Sequence, residues 1–131
     1  MNILEQVEEY TIYELIKGIH REPEDFYDGD ISDRIEEYKY YNLVQNFDLR
    51  TLDKNEWDVD QDLVDEIKEL IIDNGLESMP KIVISEDNSI IDGIHRINAL
   101  LQLGYTHIDL YVGSNQKLQL QKKKKIKQRF S

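Results

Sequence analysis

Ile90-Ile91-Asp92-Gly93-Ile94-His95-Arg96-Ile97-Asn98-Ala99-Leu100-Leu101-Gln102-Leu103-Gly104 decides how this chain is read, because within fifteen residues a strand pattern turns into a helix pattern. Ser89, Ile90 and Ile91 form a short β-type run, and Gly93 permits a tight turn. From Ile94 the apolar residues recur as Ile94, Ile97, Leu100 and Leu101, which is the helical period, and Gly104 supplies the stop. The first turn of such a helix presents backbone N–H groups and the positive end of the helix dipole. His95 and Arg96 sit in that turn, where the dipole favours acids, so their presence calls for an anion, and a phosphate is the obvious one.

Upstream, Lys81-Ile82-Val83-Ile84-Ser85 reads as a short interior strand, and Glu86-Asp87-Asn88 as the turn that makes a hairpin with Ser89-Ile90-Ile91. Asp60 opens a helix running to Asn74, with Leu63, Ile67, Leu70 and Ile71 toward the core and Gly75 ending it. Leu43 to Leu49 reads as a strand, closed by Leu52 before the polar Asp53-Lys54-Asn55-Glu56. Residues 3 to 18 read as helix, with Leu4, Val7, Ile12, Leu15, Ile16 and Ile19 as its apolar stripe and Thr11 with Glu14 as a capping box. A Pro- and Gly-punctuated acidic loop follows, carrying His20 and Arg21, and then a helix from Ile31 to Tyr40. Tyr38, Tyr40 and Tyr41 read as core-edge aromatics rather than as base-stacking platforms. Downstream, Thr106 to Val112 is a further strand in which His107 reads as structural.

The motif Asp-Gly-x-His-Arg-x-x-Ala with Leu-Gly shortly after it resembles the signature of the ParB/sulfiredoxin superfamily, whose strand-to-helix turn holds nucleotide phosphates. Sulfiredoxins carry a cysteine where this chain has Ile94, and the chain has no cysteine at all, which excludes that redox activity. ParB partition proteins share Gly93, Arg96 and Ala99 with it. The free serine kinases of the superfamily match at Asp92, Gly93, His95, Arg96 and Ala99, with Ile94 in place of a histidine. In those kinases a Leu is followed four residues later by a catalytic Glu; Leu52 and Glu56 keep that spacing, although the intervening Pro-His is missing.

The resemblance implies an α+β fold: a small mixed sheet of about four strands with packed helices and an N-terminal helical extension. Its boundaries are an extension over 1–42, a ParB/sulfiredoxin-like nucleotide-binding core over 43–116 and a basic tail over 117–131. It further implies ATP or ADP with Mg²⁺, phosphates on Gly93, Ile94, His95 and Arg96, the metal on Asp92, and catalytic roles for Glu56, Asp92 and His95. The reading that follows is a nucleotide-dependent phosphotransferase, a kinase or nucleotidase, acting on a small hydroxyl-bearing substrate.

Composition sets the bounds. The 131 residues suit one domain, and no apolar run approaches a membrane span. The start Met1-Asn2-Ile3-Leu4-Glu5 lacks the features of a signal peptide, so a cytoplasmic location is expected. The net charge of −11 hides a division: every acid precedes Lys117, whereas Lys117, Lys122, Lys123, Lys124, Lys125, Lys127 and Arg129 crowd the last fifteen positions. The acidic body repels nucleic acid, while the tail is able to contact it through counterion release. Two other function classes therefore stand beside the enzyme. One is a ParB-like nucleic-acid-binding regulator or DNA-acting enzyme that uses the tail. The other is an inhibitor of the phage or mobile-element kind that uses the acidic surface. The oligomeric state is not encoded in any of these features.

Overall fold

In a computed structural model of the chain, the described residues are 2–12, 35–53, 58–79 and 81–118. They form a mixed α+β fold in the element order β1 (Ile3–Glu8), β2 (Tyr40–Asp48), α1 (Gln61–Asn74), β3 (Val83–Ile84), β4 (Ile90–Asp92), α2 (Ile94–Gln102) and β5 (His107–Ser114). The strands make one five-stranded sheet in the order β1-β2-β5-β3-β4, with β3 and β5 parallel and every other pair antiparallel. Among the described residues no helix is long and apolar enough to cross a membrane.

Both faces of the sheet are covered, which explains why its central strands are apolar at consecutive positions. Ile84, Ile90, Ile108 and Leu110 point to the face that receives α1 through Val64 and Ile71, and α2 through Ile97, Ala99 and Leu100. Val83, Ile91, Tyr41 and Tyr111 point to the opposite face, covered by Ile12, Ile35 and Tyr38. Each fully buried Ile or Leu contributes about 1.5–3 kcal/mol of transfer free energy, so these two layers outweigh any single polar contact in the molecule. The opposite face is also polar at its edges: Tyr41 donates to the Ile35 carbonyl at 2.6 Å and Tyr111 to Glu5 at 2.9 Å. Burial, with that acceptor, pushes the Tyr111 phenol above its ordinary value.

The N-terminal segment departs from expectation. Residues 3–8 are strand rather than helix, pairing Glu5 with Leu43 and Val7 with Tyr41, and helix begins only at residue 9. A partner strand overrides the weak helical period of Leu4 and Val7, because β2 satisfies the backbone groups that a helix would otherwise satisfy internally. The sheet accordingly has five strands rather than about four. Ile35 is helical, but Tyr40 already belongs to β2, so the second expected helix ends earlier than its apolar pattern suggests. Tyr38 packs its ring so closely on Gly113 that an added Cβ would collide with it. Tyr38 and Tyr41 are core residues, as their amphipathic placement predicted.

β2 bends at a bulge between Val44 and Phe47. Asn46 there adopts φ 54°, and its N–H donates to Asp109 Oδ1 at 2.9 Å. The strand ends at Asp48, whose carboxylate receives Arg50 Nε and Nη2, both at 2.9 Å. These side-chain hydrogen bonds, joined by the Arg50 backbone N–H, hold the Asp48 carboxyl down at about 2 against an ordinary 3.8. A lowered folded value means that its contribution to stability is complete above pH 3.8 and disappears as the pH falls through 2. A carboxyl-detected NMR titration should find the Asp48 midpoint near 2. In Arg50→Ala that midpoint should rise part of the way to 3.8, since the backbone N–H remains; an unchanged midpoint would mean that the guanidinium does not hold this carboxylate.

Candidate functional site

The β3–β4 hairpin delivers Asp92 and Gly93 to the start of α2, as the turn residues between the two strands require. Gly93 is the N-cap of α2 at φ 117°, ψ 23°, a left-handed conformation in which a side chain is strained. A Cβ at this position would stand 2.9 Å from Ile82 Cγ1 and 3.4 Å from Arg96 Nη2. The backbone is therefore glycine-shaped on two counts. No side chain caps this helix start, and the Gly93 carbonyl accepts the first intrahelical bond from Ile97 at 2.9 Å.

The residues expected to serve a phosphate divide here. Ile94 points into the core beside Ile90 and Ile97. Arg96 is 7% exposed and Asp92 6%. Their side chains meet across the turn, Arg96 Nη2 to Asp92 Oδ2 at 2.9 Å, while Nη1 donates to the Lys81 carbonyl at 3.0 Å. A cation in the first turn of a helix is unfavourable by itself, and here the chain supplies the compensating anion from the last residue of β4. The pair acts as a clamp that joins β4 and α2 to the segment leading into β3. Among the described residues, no buried side-chain nitrogen or oxygen lacks a hydrogen-bond partner.

His95, on the next face of α2, is half-buried, and its Nε2 accepts from the backbone N–H of Asp60 at 3.1 Å. Asp60 is the N-cap of α1, its Oδ1 accepting from the N–H groups of Asp62 at 3.0 Å and Leu63 at 3.4 Å. The starts of the two helices are thereby brought together. Their bodies are held further by Gln61 and Gln102, which exchange hydrogen bonds at 3.0 and 3.2 Å, and by Lys68 donating to Gln102 at 3.1 Å.

Glu56 lies outside the described residues. The described segments nearest to it in the chain attach near opposite ends of β4. Asp53 forms a parallel bridge with Ser89, its N–H donating to the Asn88 carbonyl at 3.3 Å, and Asp60 reaches His95. Of the other residues singled out in the sequence, His20, Arg21 and the tail from 119 onward also lie outside the described residues. His107 sits beside Thr106, ring Nδ1 to hydroxyl 2.8 Å, with Asp48 3.9 Å away, at the same end of the sheet.

Two features were not legible in advance. The sequence marks Asp60 only as a helix cap, since nothing local says that its N–H meets a histidine thirty-five positions later. The second is a cavity of about 290 Å³ beyond Lys81, lined by the bulge residue Asn46 with Leu76, Met79, Ile82, Ile108 and Asp109. Ligand pockets are of order 300–1,000 Å³, so this one admits a small molecule at most.

The described residues do not fit a Mg²⁺ ion held by Asp92. Its carboxylate faces the Arg96 guanidinium, which a divalent cation would have to displace, and no group of three or more His, Asp or Glu suited to a metal occurs among the described residues. No family model matches the chain, and neither a curated protein nor a solved structure matches it.

Proposed function

We propose that this chain binds the phosphates of a nucleotide at the β4–α2 turn and transfers a phosphoryl group from it to a small hydroxyl-bearing acceptor. The observation that carries the reading is the meeting of two helix starts, α1 at Asp60 and α2 at His95, beside a turn that only glycine fits. Helix N-termini attract phosphate through their N–H groups and dipoles, and the start of α2 has no side-chain cap, whereas that of α1 is already capped by the Asp60 carboxylate. In this arrangement the backbone at Gly93 and Ile94 approaches the phosphate, His95 donates to it, and Arg96 acts from beneath by fixing the turn through Asp92 and Lys81. Glu56 is the general base in this reading, on its spacing from Leu52.

A second reading, a nucleotide-binding regulator without turnover, is favoured by the engagement of Asp92 with Arg96, which takes the nearest described carboxylate away from a metal. Calorimetry with ATP and a labelled phosphoryl-transfer assay separate the two. Glu56→Gln should keep ATP affinity and lose transfer by roughly two or more orders of magnitude, the usual share of a positioned base. Binding without any transfer by the unmutated chain puts the regulator ahead, and absence of ATP binding removes both.

A further inference from the structure

We propose that the basic segment 119–131 docks on the outer face of α1 in its own chain, laying its cations along the acidic row Asp62, Glu66, Glu69 and Asp73 and its apolar side chains against Leu63 and Leu70. The acids of that row recur at the helical period, one above another, and all are exposed. Like charges at this spacing repel, and Asp73 also meets the negative end of the helix dipole, with no basic residue in the last turn to offset it. Lys68, the cation within α1, is directed elsewhere: it lies 3.6 Å from Asp65 and donates to Gln102. Among the described residues no cation pairs with any acid of the row.

An apolar row runs beside the acidic one. Leu63 and Leu70 share one side of the helix and are 36% and 57% exposed, whereas Val64 and Ile71 meet the sheet and Gln61 and Lys68 meet α2. Exposed leucines flanked by acids fit an occupant that is basic and apolar at once. The end of this chain has that composition: Leu120, Ile126 and Phe130 stand among Lys122 to Lys125, Lys127 and Arg129, and every acid of the chain precedes them.

The root of the segment is fixed on the side of the sheet that carries α1. Gln6 Nε2 donates to the Gln116 carbonyl at 2.9 Å, and Gln6 Oε1 accepts from the Leu118 N–H at 3.0 Å. Asn115 holds the other flank, its Oδ1 accepting from the Lys39 N–H at 3.0 Å and its Nδ2 donating to the Glu37 carbonyl at 3.3 Å. Gln6 pairs with Asn42 and Asn42 with Val112, and side chains directly opposite one another in a sheet share a face. Val112 packs into the layer made by α1 and α2, so that face is theirs. Fully extended, residues 119–131 span about 40 Å, which exceeds the roughly 35 Å breadth of a domain of this size. α1 is therefore within reach, and tethering gives an effective concentration on the order of millimolar, at which even a weak contact is populated. Docked, the segment and the acidic face withhold each other: a polyanion competes for the lysines and a basic protein for α1. The docking is independent of the phosphate reading.

The chain has no cysteine, so Gln128→Cys carries a nitroxide at a single position. In the full chain labelled with ¹⁵N, at low salt, the nitroxide should broaden the amides of Leu63, Glu66, Leu70 and Asp73. The broadening should be lost as salt approaches about 1 M, where the screening length is about 3 Å. Glu66→Lys with Glu69→Lys, and separately Leu70→Ser, should each remove most of it; all three positions are exposed, so the fold stays intact and the remaining amides report that. No broadening, broadening away from α1, or broadening of α1 that survives salt and both variants overturns the proposal. Mixing ¹⁵N-labelled chains that lack the nitroxide with unlabelled chains that carry it identifies the occupant. Broadening of α1 in that mixture as strong as within one chain assigns the contact to a second copy and overturns docking on the segment's own helix.

Discussion

Asp92→Ala is expected to destabilise the protein by about 3–5 kcal/mol, because it leaves the Arg96 guanidinium buried without its counter-charge. Arg96 is 8% and Asp92 6% exposed at the side chain, so water cannot take over the lost partner without opening the β4–α2 turn. Arg96→Ala should also destabilise, by removing the counter-charge that Asp92 Oδ2 meets at 2.9 Å. For a chain of this size such a loss lowers the midpoint of thermal unfolding by roughly 10–20 °C. Replacing both together, as Asp92→Leu with Arg96→Met, should recover most of the loss, since well-packed apolar substitutes for a buried pair are neutral or better in comparable systems. Urea unfolding of the two single variants and the double variant, arranged as a cycle, measures this. Single variants that cost less than about 1 kcal/mol would mean that the pair behaves as a surface salt bridge. The result governs how any binding experiment on Arg96 is read. A drop in ATP affinity after Arg96→Ala counts as a lost phosphate contact only if the turn is still folded at the assay temperature.

Gly93→Ala is expected to cost about 2–5 kcal/mol, the sum of two separable effects. Alanine at φ 117° is strained, and its Cβ would stand 2.9 Å from Ile82 Cγ1 in a part of the core where Ile82 is 0% exposed. Gly104 provides the control. It also has a positive φ, 96°, but nothing lies within 4 Å of an added Cβ, so Gly104→Ala carries the backbone strain without the collision. The difference between the two variants in urea unfolding isolates the contact with Ile82. Equal losses at the two positions would show that the backbone, not the close approach, dictates glycine at the turn.

Legibility of the fold in the sequence followed the range of the interactions. α1 and α2 were readable in extent because their periodicity, the Asp60 cap and the glycine stops are local, and the observed helices begin and end within a residue or two of the expected bounds, but the buried face of α1 runs through Val64 and Ile71 while Leu63 and Leu70, expected toward the core, are exposed. The β3–β4 hairpin was readable from its turn residues. β1 was not, because what makes residues 3–8 a strand is a partner some forty positions away. The candidate site divides along the same line. Asp92, Gly93, His95 and Arg96 were visible as a motif. That Arg96 turns inward to Asp92 and Lys81, and that His95 faces Asp60, depends on how α1 packs and on where β3 starts. Glu56 is singled out by its spacing from Leu52 alone and lies outside the described residues.

The order of strands has a kinetic consequence. β5, the latest strand in sequence, lies in the middle of the sheet, between β2 on one side and β3 on the other. Before it docks, β1 and β2 can make only a two-stranded ribbon, and β3 and β4 only a short hairpin of two and three residues, neither with a neighbour to complete it. Tyr40 pairs with Ser114 and Asp48 with His107, so closing the sheet brings together positions separated by about half the chain. Such closures place the entropic cost of a long loop ahead of the contacts that reward it. Folding of this molecule should therefore be limited by arrival of β5, in milliseconds or slower rather than at the speed of its helices. The clamp at Asp92 and Arg96 spans only four residues, but its Lys81 carbonyl partner is fixed by the parallel pairing of β3 with β5. The turn proposed to hold phosphate would thus be among the last parts of the molecule to take shape.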